Sequence, residues 1–402
     1  MKQDFIIPKH IFGNKPVIRI RDPLAVVENY RLFKIKSDKT DSKCAVVLKG
    51  DVHGLLMENV AQLLYDEGVR DFFVEEMFEG IELRELLPYK DVHIYALAGI
   101  LDGEEKLFFN NNISPCINSI SQLTRWNNFC KDISNDTQNS VLIHLDTQMN
   151  RLGLLEESVN YLSENFDALT CNIQVKAYLS HFYDIKGDDH TNCNNQLKVL
   201  SRYLKKLPVR KVSIACTDSV ILLDNKNVNY DFVRIGIGIT GGAPSKNKPV
   251  SEDSKHTMEI YARYSQIKPV SKGETIGYGG AYTVKRDTKI ALVHIGYKDG
   301  YMRVLSGLDN SPGAYMSISG FRANVIGKIS LGACVIDVTD IPQDILDSNY
   351  YAEVIGPNVD IRELADMVGC YEILVSLGRP NKKIMDYKME QFKELVVRDS
   401  NN

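Results

Sequence analysis

The stretch CAVVLKGDVHG, residues 44–54, decides the fold of this chain. It begins with a short apolar run rich in valine, which is typical of a buried strand, and Lys49 then leads into a turn that contains glycine. In the segment that follows, apolar side chains recur at helical spacing, and Gly68 stands where a helix usually stops. These apolar positions are Leu56, Val60, Leu63 and Leu64. Strand, turn and helix in this order predict a βα unit.

The alternation of strand-like and helix-like segments continues to about residue 237. The further β-rich runs, most of them separated by segments of helical period, are DFFVEE, DVHIYAL, SVLIHLD, QVKAYLSHF, KVSIACT and DFVRIGIG. An earlier helix is indicated by Asp22 as N-cap and Pro23 at the first helical position. About eight strands of this kind predict an α/β fold in which a parallel sheet closes into a (β/α)8 TIM-type barrel. We expect the barrel to span residues 1–246, with the extreme N-terminus a candidate to join the next domain.

The pattern changes after Pro244. A polar stretch, SKNKPVSEDSK, precedes short strands broken by glycine, which run from TIGYGGAYTV to YAEVIG with no helical period between them. Asp360 and Glu363 form a capping-box pattern for a short helix that ends this region before the polar tail VVRDSNN. Residues 247–402 are therefore predicted to form a mainly antiparallel β domain.

The composition is that of an ordinary globular protein of 402 residues. The hydrophobic fraction of 44% and the charged fraction of 25% argue against a disordered or membrane class. A formal net charge of -4 offers no basic surface for nucleic acid, so the expected ligand is a small molecule. The N-terminal stretch lacks the features of a signal peptide, and we expect a cytoplasmic protein without a membrane partner. The 8 cysteines include no C-x-x-C pair and are expected to be reduced thiols.

Candidate reactive groups follow the predicted strands. In barrels such groups lie at the carboxyl ends of the strands, and phosphates are commonly held by the loops after strands 7 and 8. Lys49 follows the first run, and Thr217 follows the seventh strand. Gly236, Ile237 and Gly238 follow the eighth strand, where bare backbone amides can approach phosphate oxygens. The sequence therefore predicts an amine and a phosphate cup at one end of the barrel.

Three other kinds of site have weak support. Residues 236–241 spell G-x-G-x-x-G, but no helix follows, which argues against a dinucleotide site. Acids and histidines in HFYDIKGDDH, among them Asp184, Asp188, Asp189 and His190, lack the helical H-x-x-x-H or thiol pair that would support a metal site. Glu75 and Glu76 are predicted on a strand, where adjacent side chains point to opposite faces, so they do not form an acid–base pair. We expect no metal.

The order of the motifs resembles that of the alanine racemase family of pyridoxal-phosphate enzymes across nearly the whole chain. LKGDVHG resembles the family motif K-A-[DN]-A-Y-G, which implies that Lys49 is the Schiff-base lysine. In this match His53 occupies the position of a family tyrosine that contacts the cofactor phosphate. LDTQMNRLG implies that Arg151 helps to hold the substrate carboxylate. These matches and those that follow occur in the family's order across two domains of the expected types, and they identify the chain as a member of this family.

Three further matches imply the remaining cofactor contacts. The SHF match aligns His181 with a family histidine that lies beside the cofactor ring. The CTDSV match aligns Thr217 with a family serine that binds the cofactor phosphate. FVRIGI places Arg234 opposite the pyridine nitrogen, with Gly236 and Ile237 as phosphate-binding amides. The resemblance thus implies pyridoxal 5'-phosphate as the cofactor.

The second domain resembles the family in two segments. IGYGGAYT resembles the S-Y-G segment and implies that Tyr278 is the second catalytic base. IGYKDGYMR, which contains Tyr297, matches G-Y-A-D-G-x-x-R. Tyr297 and Leu331 are accordingly expected at the substrate.

Three positions depart from the family pattern. His144 stands where many members have a lysine that can be carbamylated, and Leu331 with Gly332 replaces a Met-Asp pair. The stretch SLGRPNKK provides no counterpart of the near-terminal tyrosine that many members supply to the phosphate. These changes cluster around the substrate carboxylate and its neighbours. We therefore expect them to affect which substrate is accepted more than which type of reaction is catalysed.

The resemblance implies an isomerase that interconverts L-alanine and D-alanine by a two-base mechanism and supplies D-alanine for peptidoglycan. Lys49 would act on the D side, and Tyr278 from the partner subunit of a homodimer would act on the L side. One alternative is a racemase of another amino acid such as serine or lysine. A second is a pyridoxal-phosphate-dependent decarboxylase or other lyase of the same fold, and a third is a non-catalytic carrier of the cofactor, which the second domain disfavours.

Overall fold

The computed structural model describes residues 15–131, 133, 139–185, 190–223, 226–244 and 247–399. These residues form two compact units. The barrel unit comprises the described residues within 26–244 and 248–254, and the β unit comprises 15–25, 247 and 255–399. In these ranges no helix has the length and apolar character needed to cross a bilayer.

The described chain begins with strand β1 (Val17–Arg21), in the β unit, and helix α1 (Pro23–Lys39). Asp22 precedes α1, and its Oδ1 accepts a hydrogen bond from the backbone N–H of Ala25 at 3.1 Å. This contact satisfies one of the amides that a helix leaves free at its start. The predicted N-cap is confirmed.

Eight parallel strands form the sheet of the barrel unit. They are β2 (Lys43–Val47), β3 (Asp71–Val74), β4 (His93–Ala96), β5 (Ile113–Ile117), β6 (Ser140–His144), β7 (Gln174–Leu179), β8 (Lys211–Ser213) and β9 (Phe232–Ile235). Neighbours in sequence pair with each other, and β9 pairs with β2. Backbone hydrogen bonds of 3.1 Å from Asp231 to Val212 and from Arg234 to Ala215 close the ring between β8 and β9. The predicted (β/α)8 barrel is confirmed.

Strand β5 was missed by the sequence prediction. Its sequence, ISPCI, contains Pro115, and a proline inside a short run counts against a strand because its nitrogen cannot donate to the ladder. All five residues of β5 are buried, and Pro115 lies opposite Ala96 of β4. Burial of the whole run holds this strand in the sheet despite the proline.

Helices and helical turns follow most of the barrel strands. They are α2 (Lys49–Gly54), α3 (Met57–Asp66), α4 (Met77–Leu86), α5 (Glu105–Asn110), α6 (Ile120–Cys130), α7 (Glu156–Glu164), α8 (Phe166–Thr170), α9 (Thr191–Leu204), α10 (Thr217–Leu222) and α11 (Lys226–Asn229). In α3 the predicted apolar positions Val60 and Leu64 are buried, and Gly68, with φ of 93°, follows the helix end. The barrel interior is filled by Ala45, Val47, Phe73, Tyr95, Cys116, Leu142, Ala177, Leu179 and Phe232.

After β1, the strands of the β unit are β10 (Met258–Val270), β11 (Thr275–Ile276), β12 (Tyr282–Thr283), β13 (Thr288–Val293), β14 (Tyr315–Ile318), β15 (Phe321–Ile326), β16 (Cys334–Asp337), β17 (Tyr351–Ile355) and β18 (Ile384–Lys388). Eight strands form one sheet in the order β13-β16-β15-β14-β17-β10-β1-β18, in which β13 also pairs with β10, and β11 and β12 pair separately. Its helices are α12 (Gln343–Ser348), α13 (Ile361–Val368), α14 (Glu372–Gly378) and α15 (Met389–Asp399). Among the strands of this unit in the described part of the chain, only β1 and β18 pair in parallel, so the prediction of a mainly antiparallel domain is confirmed.

The end of the chain corrects the sequence prediction. The predicted short helix is α13, but α14, β18 and α15 follow it, and α12 separates β16 from β17. Strand β18 lies beside β1, where the buried guanidinium of Arg19 contacts Asp386 with Nε–Oδ1 2.5 Å and Nη2–Oδ2 2.9 Å. These partners are 367 residues apart, so no local pattern could reveal the pairing.

The predicted capping box of α13 is only partly present. Asp360 Oδ1 accepts from the N–H of Arg362 at 2.8 Å, whereas Glu363 Oε2 accepts from the Tyr315 hydroxyl at 3.1 Å. The cap therefore depends on Asp360, and Glu363 connects the helix to the sheet.

Candidate active site

Several polar groups lie at the carboxyl ends of the barrel strands. Lys49 lies just beyond β2, and Glu75 lies directly beyond β3. His144 is the last residue of β6, Arg234 lies in β9, and Thr217 opens α10 beyond β8. Because the strands are parallel, all these residues lie toward one end of the barrel.

The turn that carries Lys49 has an unusual backbone. Gly50, Asp51, Val52 and His53 all have left-handed conformations, with φ between 53° and 62°. Such a conformation is costly for residues with a Cβ, and most so for a β-branched valine. Asp51 helps to hold the turn, since its Oδ1 accepts from the N–H of Met57 at 2.6 Å. Strained turns that the surroundings maintain are typical of functional sites.

Two carboxylates lie beside the turn that carries Lys49, and both were missed as site residues. Lys49 Nζ lies 2.6 Å from Glu75 Oε2. The Oε1 and Oε2 atoms of Glu79 accept from the N–H groups of Gly50 and Glu75, each at 2.7 Å. The sequence prediction set Glu75 and Glu76 aside as strand neighbours, but β3 ends at Val74 and both residues follow it. An acid directly after a β-rich run, as in DFFVE, was the available signal.

Arg234 is buried in the barrel with only 5% of its surface exposed. Its Nε donates to Ser213 Oγ at 3.1 Å, and Nη2 donates to the carbonyl of Ser180. Desolvation lowers the pKa of the guanidinium from its ordinary value. Both of these acceptors are neutral, so among the described residues the buried guanidinium has no carboxylate bound to it.

The loops after β8 and β9 contact each other. Thr217 Oγ1 accepts from the N–H of Gly238 at 3.1 Å. A Cβ at Gly238 would lie 2.4 Å from Phe33, so only glycine fits there. A Cβ at Gly236 would lie 3.9 Å from Cε1 of His53, which places that imidazole beside the turn. Ile237 begins a helical turn, whose first N–H groups have no acceptor within the helix.

Three histidines at this end of the barrel are neutral at physiological pH. Burial, assisted by the charge of Lys49, lowers the pKa of His53 to about 4. Burial and the charges of Arg234 and Arg151 lower the pKa of His144 to about 3. The same influences, burial first, hold the pKa of His181 well below its ordinary value. Because the charge of Arg151 lowers the pKa of both His144 and His181, this exposed side chain lies in their vicinity.

The neutral His144 has a defined tautomer. Its Nδ1 lies 2.9 Å from Asn118 Oδ1, while Asn118 Nδ2 donates to the carbonyls of Leu97 and Cys116 at 3.0 Å. Because Asn118 presents its oxygen, His144 Nδ1 carries the hydrogen. Asn118 was not predicted as a site residue.

Stability should therefore fall in mild acid. Folding lowers the pKa of His144 from 6.5 to about 3, so the unfolded chain binds more protons below pH 6.5 and the stabilisation is lost as the pH falls. We expect His144→Gln to remove about 2 kcal/mol of the loss in unfolding free energy between pH 7 and pH 5. Urea unfolding of both proteins at the two pH values measures this difference. Equal losses in the two proteins would show that His144 titrates normally.

The other predicted site residues lie in the β unit. Tyr278 occupies a 3-10 turn (Tyr278–Gly280), is 68% exposed and makes no side-chain hydrogen bond within the described residues. A Cβ at Gly279 would lie 3.6 Å from Nζ of Lys328, so a positive charge lies beside this turn. Tyr297 and Leu331 are also exposed, and the N–H of Tyr297 donates to the carbonyl of Ser330 at 3.1 Å. This contact makes Tyr297 and Leu331 neighbours.

The motif that contains Tyr297 is held by a buried carboxylate. Asp299 Oδ2 accepts from the N–H of Gly296 at 3.0 Å and from Lys383 Nζ at 2.9 Å, and Oδ1 accepts from Asn381 at 3.1 Å. Asn381 and Lys383 belong to SLGRPNKK, the stretch without the family tyrosine. In this chain that stretch supports the loop of Tyr297.

Two features lie apart from this site. A cavity of about 1730 Å³ opens at the other end of the barrel, beside Asp71, His93 and Lys211, which begin their strands. In the described part of the chain no group of three or more His, Cys, Asp or Glu side chains could hold a metal ion. Asp188 and Asp189 of the HFYDIKGDDH segment lie outside the described residues. All eight cysteines are free thiols.

Comparison with known proteins shows the family to which both domains are similar. The family model for the N-terminal domain of alanine racemase matches residues 22–244, and the model for the C-terminal domain matches residues 257–385. Alanine racemase of Rhizobium meliloti (strain 1021) is 34% identical over 366 residues, which are 89% of this chain and 93% of that protein. Biosynthetic alanine racemase of Agrobacterium fabrum is 29% identical over 375 residues, covering 91% and 93% of the two chains.

The crystal structure of alanine racemase from Bartonella henselae with covalently bound pyridoxal phosphate has a similar fold. It superimposes with a TM-score of 0.80 at 27% identity, covering 93% of this chain and 99% of that chain. Matches of this extent over both domains establish common ancestry. The chain belongs to the alanine racemase family.

Proposed function

We propose that this chain is a pyridoxal-phosphate-dependent isomerase that interconverts L-alanine and D-alanine. Its membership of the alanine racemase family supports this reaction. The barrel end that carries Lys49 also carries Thr217 and Arg234, to which we assign the cofactor. The alternative that another amino acid, such as serine or lysine, is the preferred substrate is tested by measuring exchange of the α-hydrogen over a panel of amino acids.

The observation that carries the proposal is the environment of Arg234. Its guanidinium donates to the neutral oxygens of Ser213 and Ser180 inside the barrel. Placed at the pyridine nitrogen, an arginine keeps its own proton, whereas the acid used there by other enzymes of this cofactor keeps the ring protonated. The weaker electron sink disfavours transamination and suits a racemase.

The residues present fit pyridoxal phosphate. His53 Nδ1 is buried without a hydrogen-bond partner among the described residues, and it belongs to an imidazole that lies beside Gly236. An anion bound between the loops after β8 and β9 would give this nitrogen a partner. The residues proposed to hold the cofactor are Lys49, His53, His181, Thr217, Arg234, Gly236 and Ile237. When bound, the cofactor withdraws electrons from the substrate and so makes the α-hydrogen acidic.

The chain itself moves the protons. We assign the D side of the substrate to Lys49 Nζ and the L side to the Tyr278 hydroxyl. We assign the exposed Arg151 to the substrate carboxylate. Binding the carboxylate there would orient the substrate and so raise the reaction rate. Tyr297 and Leu331 are assigned to the substrate as well.

The proposal extends to domains and assembly. Residues 1–246 would form the cofactor-binding domain, with the extreme N-terminus joining the β domain, and residues 247–402 would carry Tyr278. In a homodimer with composite active sites, Tyr278 of the partner subunit would complete the site of Lys49. We place the enzyme in the cytoplasm, where it would supply D-alanine for peptidoglycan.

Exchange of the α-hydrogen in heavy water tests the function. The protein is incubated with pyridoxal phosphate and a panel of L- and D-amino acids, and deuterium incorporation and chirality are followed together. We expect alanine to exchange fastest and both enantiomers to reach a 1:1 mixture. Faster exchange of another amino acid would change the substrate assignment. Carbon dioxide or ammonia release, or cofactor binding without exchange, would contradict a racemase.

A further inference from the structure

The ends of β2 and β3 hold Lys49 and Glu75 side by side. Val47 lies opposite Phe73 in the parallel register, and the N–H of Leu48 donates to the carbonyl of Phe73 at 2.7 Å. The two side chains therefore leave neighbouring strands at the same level. Lys49 Nζ and Glu75 Oε2 meet at 2.6 Å.

The backbone around this ion pair is fixed by a single carboxylate. Glu79, on α4, accepts from the N–H of Gly50 with one oxygen and from the N–H of Glu75 with the other, each at 2.7 Å. The carbonyl of Glu75 also accepts from the N–H of Ala98 at 2.8 Å. Both ends of the ion pair thus start from backbone positions that hydrogen bonds determine.

The pair contributes little to the stability of the fold. The Lys49 and Glu75 side chains are 36% and 39% exposed, and ion pairs in such surroundings are largely screened by water. Its effect falls instead on the location of the Lys49 amine. That amine is the atom to which the proposed function assigns both cofactor attachment and proton transfer.

We propose that Glu75 is a positioning residue that holds the Lys49 ammonium whenever this lysine is not joined to the cofactor. The inference rests on the proposed function. A lysine amine on a flexible four-carbon stem can occupy many positions once it is released. The hydrogen bond to Glu75 keeps the released ammonium near the end of β2, on the face where it delivers a proton in the formation of D-alanine.

Substrate deuterium isotope effects in Glu75→Gln test this role. Because the two enantiomers are equally stable, kcat/KM must fall by the same factor in both directions, and we expect about tenfold. The isotope effect with D-[2-2H]alanine should rise, since the Lys49 step becomes more rate-limiting. The isotope effect with L-[2-2H]alanine, which reports the opposite step, should fall.

Glu76→Gln is the matched control. Glu76 is exposed, adjacent in sequence and without a side-chain hydrogen bond among the described residues, so this change should leave both isotope effects unaltered. Glu75→Asp keeps the carboxylate, and the long lysine side chain can follow it, so most of the rate should return. If the isotope effects of Glu75→Gln equal those of Glu76→Gln, the positioning role is wrong.

Attachment of the cofactor provides a readout that does not depend on turnover. In the cofactor-free protein, Glu75 and pyridoxal phosphate compete for the same Nζ atom. Attachment forms a C–N bond between Nζ and the aldehyde carbon, expels the aldehyde oxygen as water and sends the ammonium proton to solvent. The rise in bound-cofactor absorbance should be about threefold faster in Glu75→Gln than in the wild type. An unchanged or slower rise would contradict the inference.

The two proposals fail in different ways. If the wild type does not racemise any amino acid, the proposed function fails. If the wild type racemises alanine and Glu75→Gln behaves like Glu76→Gln in both experiments, only the role of Glu75 fails. Thermal unfolding of each variant shows whether the fold is retained, which we expect because the ion pair is partly exposed and contributes little to stability.

Discussion

Lys49→Ala should abolish covalent attachment of pyridoxal phosphate and lower racemisation of alanine by at least about 10⁴-fold. The amine is proposed both to attach the cofactor and to act on the D side of the substrate, so one substitution removes two functions. The absorbance of the cofactor-bound protein and the rate of chirality loss measure the two effects. A bound-cofactor spectrum like that of the wild type would contradict the assignment of Lys49.

Lys49→Arg separates chemistry from charge. In the wild type, Glu75 Oε2 lies 2.6 Å from Lys49 Nζ, and the guanidinium of the arginine variant can still pair with this carboxylate. A guanidinium that stays protonated does not condense with the cofactor aldehyde. We expect loss of attachment as complete as in the alanine variant. The Lys49 side chain is 36% exposed, so both variants should keep the melting temperature of the wild type within a few degrees.

Tyr278→Phe should lower racemisation by about 10³-fold, because the hydroxyl assigned to the L side is removed. Exchange at the α-carbon of D-alanine in heavy water should persist, since it needs only Lys49. Chiral chromatography and NMR on the same sample distinguish the two outcomes. Retained racemisation of both enantiomers would contradict the two-base scheme.

The fold of Tyr278→Phe should be intact. Tyr278 is 68% exposed, and its hydroxyl makes no hydrogen bond among the described residues. Tyr161→Phe is a suitable control, since Tyr161 is 51% exposed on α7 of the barrel unit. It removes a hydroxyl from an exposed tyrosine that has no assigned role, and racemisation should be unchanged.

Local patterns predicted the elements that depend on local interactions. The valine-rich run before Lys49 became β2, and the helical spacing after it became α3, which ends before Gly68. Asp22 caps α1 through the backbone of Ala25. Period, caps and glycine positions are readable because each involves residues only a few positions apart.

Strand β5 shows where such patterns fail. Its five residues are buried on both sides by the neighbouring strands and helices, and that burial outweighs the local cost of Pro115. The strand is therefore determined by packing against the rest of the barrel. A prediction from the sequence ISPCI alone would not assign a strand, because of Pro115.

The sequence by itself determined the barrel, the following β domain and the positions of Lys49, Thr217 and Gly236 after strands, because strand and helix periods are local properties. Only the tertiary structure decided which groups meet these residues. Glu75 reaches Lys49 across 26 positions, and Asp386 reaches Arg19 across 367, because strand pairing sets the register that joins them. A contact between distant segments depends on the whole sheet, and no short stretch of sequence contains that information.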